Sequence, residues 1–439
     1  MTAADVRVPH ARWIAAGAAL IVCGVLLWWT RTFTFYFDEW SFITTAPDWT
    51  LATYFEPHNE HPSMLLRAVY AILLNTVGLR SYIPYMALLY IFHFANVVLL
   101  FELVRRRSGE LVGLAAALLL VVIGAGWEDL LWAWQLAWLA SVAFGLSALI
   151  LLQTPGRGRM AAVLGLLAVS LSFSAIGVPF AVAAGVKLLL TPDRRRDLAW
   201  LGPLGIALVA WYVVFGRFAE HPDPQPTAAN LLLDPLYTAW GLSQSLAGLA
   251  GLGDWIGIPL LAAAALALAW WWRNHRPDAF AIGVCAGLLA FYGVAGLTRA
   301  QLGLQQSGAS RYVYVAAVLW LIVLADAARG LPWRGTWRPA LAACLFLACF
   351  NSGVLLFEFA SAKTLQMERA VADLQALAAE REDACLDATA KADVLVMPGV
   401  GPPAYYRAVD HYGDPVAGIP VRDRGDFEFA RANLRKANC

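Results

Sequence analysis

Charge is what this sequence has least of. Asp, Glu, Lys and Arg make up 14% of it, against roughly 25% in soluble proteins. That shortage excludes a large water-soluble fold, since mean hydropathy is +0.60 and apolar runs near the length of a bilayer crossing recur along the chain. The formal net charge of +1 offers no basic excess for nucleic acid. A cleavage signal is missing as well. The first apolar run, Trp13 to Trp29, has Arg7 and Arg12 ahead of it, but bulky aromatics rather than small residues follow, so it reads as a retained span. Of six cysteines, Cys23, Cys285, Cys344 and Cys349 lie in apolar runs. Only Cys385 and Cys439 fall in polar sequence.

What is present is a polytopic, all-α pattern. Eleven spans are predicted, at 12–29, 84–104, 111–126, 134–152, 160–173, 175–190, 199–216, 255–272, 279–297, 312–328 and 340–359. Arginine supports the assignment. Every second connection is short and basic: Arg105–Arg107, Arg157 with Arg159, Arg194–Arg196, Arg273 with Arg276, and Arg329 with Arg334 and Arg338. The positive-inside rule makes these cytoplasmic, with the N-terminus inside and the C-terminus outside. Ser170, Ser172, Ser174, Gly177 and Pro179 supply the turn that divides 160–190 into two. The segment 63–77 is apolar but interrupted by Arg67, opened by Pro62 and closed by Gly78. It reads as an amphipathic helix in the outer interface of the bilayer.

The outer segments are then a loop at 30–83, WEDLLW at 127–132, a loop at 217–254 rich in Pro and Asp, 298–311, and a tail at 360–439. The chain divides into a membrane domain, 1–359, and a small external domain with an α/β-like character. In that tail Met367, Val371, Leu374 and Ala378 mark a helix, and VLVM at 394–397 reads as a short strand. Cys385 and Cys439 can pair in an oxidising exterior, or remain two thiols. Cytoplasmic connections are too short to hold a nucleotide-binding domain, and no Walker A sequence occurs. DVLVMPGVG at 393–401 lacks the third glycine of a dinucleotide loop.

Ionisable residues beside a bilayer are costly and mark function by default. The first outer loop gathers Asp38, Glu39, Asp48, Glu56, His58, Glu60 and His61, with FYFDEW at 35–40 directly after the first span and EPHNEHP at 56–62. The two His and two Glu form one option for a Zn²⁺ or Mn²⁺ site. The other is contact with sugar or acceptor hydroxyls, or a cap on the interfacial helix. Pro62 holds His61 extended, which works against a shared helical face. Glu128 and Asp129 lie on the same outer side, among tryptophans of an aromatic belt. Glu102 is one turn from the Arg105–Arg107 cluster, where a salt bridge accounts for it.

FDEW, its placement after the first span, and SRYVY at 310–314 resemble the GT-C-type polytopic membrane glycosyltransferases, including protein mannosyltransferases, aminoarabinose transferases and arabinosyltransferases. The resemblance covers roughly residues 12–330, and the small tail departs from the best-known members. It implies a polyprenyl-phosphate sugar donor, an external glycan, lipid or protein acceptor, and inverting transfer at the outer face of the plasma membrane. It places Asp38 as the base on its first acidic position, with Glu39 the alternative base or an acceptor or metal ligand. Arg311 would meet the lipid phosphate, with Arg299 and Arg67 as further candidates and Tyr312 beside them. His58, Glu60 and His61 would bind substrate. Two other readings stand beside it: a transporter or flippase for lipid-linked saccharide, and a non-catalytic lipid-binding scaffold. A transporter needs polar sites at the membrane midplane, whereas the ionisable residues here crowd at the outer surface.

Overall fold

The computed structural model describes residues 1–154, 156–219 and 223–439. Residue 155, the side chain of Arg157 from the basic pair above, and residues 220–222 of the 217–254 segment lie outside the described residues. The helices are α1 (Ala11–Trp29), α2 (Asp38–Thr45), α3 (Met64–Thr76), α4 (Ile83–Ser108), α5 (Glu110–Val121), α6 (Glu128–Leu131), α7 (Leu136–Leu151), α8 (Arg157–Phe173), α9 (Val178–Leu190), α10 (Gly202–Val214), α11 (Asn230–Leu249), α12 (Gly257–Asn274), α13 (Ala279–Arg299), α14 (Ser310–Ala328), α15 (Trp337–Glu380), α16 (Pro402–Tyr412) and α17 (Arg424–Leu434). Between α2 and α3, β1 (Pro57–His58) pairs antiparallel with β2 (His61–Pro62).

Among the described residues, eight helices are long and apolar enough to cross a membrane: α1, α4, α7, α10, α12, α13, α14 and α15, some lengthened by flanking turns. The runs expected at 111–126, 160–173 and 175–190 form α5, α8 and α9, which are apolar but shorter. The molecule is thus a helical membrane protein, and the eleven expected crossings are matched by eight helices of full spanning length among the described residues. α7 and α14 sit inside the bundle, their windows mostly buried. α4 packs against α1, α5 and α7, and α9 against α13. α10 stands apart with its surface exposed. Its outer end is tied to the first outer loop by a Trp211 Nε1 bond to the Phe55 carbonyl (2.8 Å) and by stacking of Phe215 on Phe55.

Two expectations are corrected here. The 217–254 segment is not simply a loop, because residues 230–249 form α11, which packs on α12, α13 and α14. Its Asp234, Pro235, Ser and Gln residues hide a face of small residues that permits close approach. Gly241 lies against the Tyr292 ring and Gly248 against Val313. The tail, in turn, is helical rather than α/β-like. VLVM forms turns, because Asp393 Oδ1 accepts from the Leu395 N–H (2.7 Å) and its carbonyl accepts from Val396 and Met397. Such side-chain bonding to a nearby backbone N–H competes with a strand, and Pro398 then closes the segment.

α15 crosses the expected boundary at 359/360 without a break. Its 44 residues reach about 66 Å at 1.5 Å per residue, twice the hydrocarbon thickness of a bilayer. Its C-terminal half is therefore a rod on which α17 packs, with Glu380 buried beneath Arg431 and Arg435. Cys385 and Cys439 are joined in a disulfide, their Cα atoms 5.8 Å apart. α3 buries Leu66, Arg67, Tyr70 and Leu74 along one face and exposes Ile72. It ends at Gly78, where φ is +68° and an added Cβ would lie 2.2 Å from the Tyr412 carbonyl oxygen, while Leu79 N–H donates to that same oxygen (3.0 Å). Gly78→Ala is expected to cost about 2 kcal/mol, since left-handed backbone alone penalises a Cβ by roughly 1–2 kcal/mol. Thermal unfolding in detergent or nanodiscs measures it, and an unchanged midpoint would contradict the close approach.

Candidate active site

The first outer loop is built around one strained residue. Phe37 adopts φ 54°, ψ −118°, a conformation that costs a bulky side chain of order 1–3 kcal/mol and is retained where surroundings enforce it. The C-terminal tail enforces it here, for Phe37 N–H donates to the Val396 carbonyl at 2.7 Å. Asp38 follows as the first residue of α2, where a carboxylate is favoured by the helix dipole. Twenty residues later, Asn59 takes a positive φ of 50° in a two-residue turn, the geometry a tight hairpin demands. That turn sets His58 opposite His61.

These pieces line a cavity of about 810 Å³. Asp38, Ser41, His58, Asn59 and His61 come from the first loop, Glu128 from α6, Arg299 from the end of α13, and Arg311 and Tyr312 from the start of α14. Trp127, Trp132, Trp134 and Trp138 supply much of the wall, and Pro398 and Gly399 of the tail close part of it. Asp38 and Arg311, 273 positions apart by number (311 − 38), thus share one space.

The charges are arranged in pairs. Arg299 forms an ion pair with Glu60. Arg311 Nη1 lies 3.6 Å from Glu128 Oε2, which also accepts from the Arg311 backbone N–H at 3.1 Å. The Ser310 Oγ accepts from Glu128 N–H (3.0 Å), so α6 and α14 are clasped together. Asp38 has His58, with Oδ2 3.8 Å from Nε2. The His58 ring stands edge-on to Phe42 and Trp134. Burial first, then nearby Arg299, His58 and Arg311, lower His61 to about 3, so it is neutral at physiological pH.

Residues singled out from the sequence that do not line the cavity include Glu60, which meets it only through its ion pair with Arg299, and Glu39, Arg67 and Asp129. Glu39, the alternative base, is fully buried behind it. Its carboxylate accepts from Tyr70 Oη (2.7 Å), Tyr82 Oη (3.0 Å), Trp132 Nε1 (3.3 Å) and the Tyr36 N–H (3.0 Å). Arg67, expected near a phosphate, is buried against the Phe42 ring (4.4 Å) with its Nη2 toward the Pro57 carbonyl (3.5 Å), where it supports the hairpin. Asp129 is buried with both carboxyl oxygens unpartnered. Desolvation first, then Glu128, push it well above the usual carboxylate range. Among the described residues no three His, Cys, Asp or Glu side chains converge as a metal-ligand set. Of EPHNEHP, His58 lies beside Asp38 and Glu60 pairs with Arg299 instead, while the His61 ring stands against Trp138.

Lys363 of α15 was not legible as a site residue. It lines the cavity, its ammonium 3.7 Å from the centre of the Tyr36 ring and bonded to Gln366 Oε1 at 2.9 Å, while Gln366 Nε2 donates to Tyr36 Oη (2.7 Å). Its one sequence signal was being a lone cation just beyond the last apolar run.

The fold and this cavity define a multi-pass helical membrane protein with a charged, tryptophan-walled chamber. No protein-family model, curated protein or solved structure matches the chain.

Proposed function

We propose that the chain transfers a sugar from a polyprenyl-phosphate donor to an acceptor outside the membrane, inverting the anomeric carbon, with Asp38 as base. The observation that supports this reading is the shared cavity: a carboxylate from the loop after the first span lines the same space as guanidinium groups from two distant helices. In the reaction, the Asp38 carboxylate takes the acceptor hydroxyl proton as that oxygen bonds to the anomeric carbon. The bond to the phosphate oxygen breaks, and its electron pair leaves with the lipid phosphate. Arg299 and Arg311 meet the charge that develops there, as guanidinium suits phosphate geometry. His58 lies beside Asp38, and the tryptophan walls offer sugar-stacking faces. Eleven crossings, with the N-terminus in the cytoplasm and the cavity at the outer face of the plasma membrane, complete the proposal.

The test uses the purified full chain in nanodiscs with a polyprenyl-monophosphate sugar carrying a labelled hexose or pentose. Expected is label appearing in a glycan, lipid or peptide acceptor, with the anomeric configuration opposite to the donor's by NMR. Label crossing sealed vesicles while remaining on its lipid would instead establish the transporter reading.

A further inference from the structure

Counting charges around the cavity singles out Lys363. Arg299 is neutralised by Glu60 and Arg311 by Glu128, whereas Lys363 makes no ion pair with a carboxylate among the described residues. It is 5% exposed, and its partners there are a neutral amide oxygen and an aromatic face. Burying an ammonium without a direct counter-ion is costly, and a cation–π contact offsets only part of that cost. Glu39 and Glu128 act on the ammonium only from beyond ion-pair distance, so an anion entering the cavity would be its first direct counter-ion. Glu128, a carboxylate facing the same space, is already engaged twice by Arg311.

Lys363 is also placed where such an anion matters. Tyr36, the ring under its ammonium, lies two residues before Asp38, and the Gln366–Tyr36 bond fixes both partners. An anion held at the ammonium is therefore beside the strained Phe37–Asp38 segment. The cationic helix is α15, which lies outside the stretch carrying FDEW and SRYVY.

We propose that Lys363, with Gln366 and Tyr36 orienting it, is the binding residue for the phosphate of a polyprenyl-phosphate ligand in this cavity. This inference rests on the proposed reading of the chamber as a donor site. It makes Arg299 and Arg311, each already paired with a carboxylate, the partners of Lys363, whose ammonium has no direct ion pair among the described residues.

The experiment measures binding of sugar-free undecaprenyl monophosphate, and of the prenol of equal length, to the full chain in nanodiscs. Lys363→Met is expected to weaken phosphate binding roughly 10- to 100-fold, the range of a lost charge-assisted bond, with prenol binding unchanged. Lys363→Arg should restore most of the loss. Equal phosphate affinity in Lys363→Met and wild type overturns the proposal, as does equal loss for phosphate and prenol. Should Lys363→Met fail to assemble, wild-type protein answers through amine acylation read by mass spectrometry. Undecaprenyl monophosphate must protect Lys363 where prenol does not, and equal labelling overturns the idea. Lys363-dependent phosphate binding without sugar transfer would leave this inference standing and remove the transferase reading; transfer at wild-type affinity in Lys363→Met would do the reverse.

Discussion

Asp38→Asn is expected to lower sugar transfer by roughly 10²–10⁴-fold, the usual contribution of a positioned general base, while the protein inserts and folds normally. Asn keeps the shape and hydrogen-bonding capacity of the side chain but cannot take the acceptor proton. The structural cost is small, because Asp38 is part-exposed and its neighbour His58 Nε2 lies 3.8 Å away, beyond hydrogen-bond reach; even a charged pair so placed contributes about 0–1 kcal/mol. The loss should fall on kcat, with donor KM little changed, since Asp38 faces the acceptor in the proposed reaction. Single-turnover kinetics with labelled donor separates the two. Full activity in Asp38→Asn would remove it as the base. No such defect is expected for Asp48→Asn, whose side chain is outside the cavity and paired with Arg407.

The second large effect is on stability, at the neighbouring residue. Glu39→Ala is expected to destabilise the protein by about 3–5 kcal/mol, the range for removing one partner from a buried charged network, because two tyrosine hydroxyls and an indole N–H lose their acceptor in a dry core. Glu39→Gln keeps an oxygen there and isolates the effect of charge. Burial raises the Glu39 carboxyl from 4.5 to about 7, against the lowering effect of Tyr70, Tyr36, Tyr82 and Trp132. The folded state thus holds the proton more tightly than the unfolded one. Stability from this group is fully present below about pH 4.5 and declines as pH rises to about 7, by about 3 kcal/mol at most. The wild type should accordingly lose stability relative to Glu39→Gln across that window. Parallel pH curves for the two proteins would show that Glu39 is ionised in the fold already.

These two residues show where sequence reading stops. Asp38 and Glu39 are adjacent and alike in type, so nothing in FDEW separates them. They occupy the first turn of α2, where successive residues are about 100° apart, and one therefore faces the chamber while the other enters the core. The same rotation divides Glu128, at the cavity, from Asp129, buried behind it. Leu66 lines the cavity and Arg67 does not, for the same reason. α11 was hidden because its contact face is made of glycines, whose value is in what they let approach. Such approach is a property of the partner helix as much as of α11 itself.

The apolar runs, the alternating arginines and the polar first loop follow from the chain alone, because burial in a bilayer depends on local composition and each helix satisfies its own backbone bonds. So does the presence of acidic residues directly after the first span. Tertiary structure alone decided which charges meet: Arg299 with Glu60, Arg311 with Glu128, Asp38 with His58, and Lys363 with a tyrosine ring. Charges act through distance, and distance between residues hundreds of positions apart is set only when the helices pack.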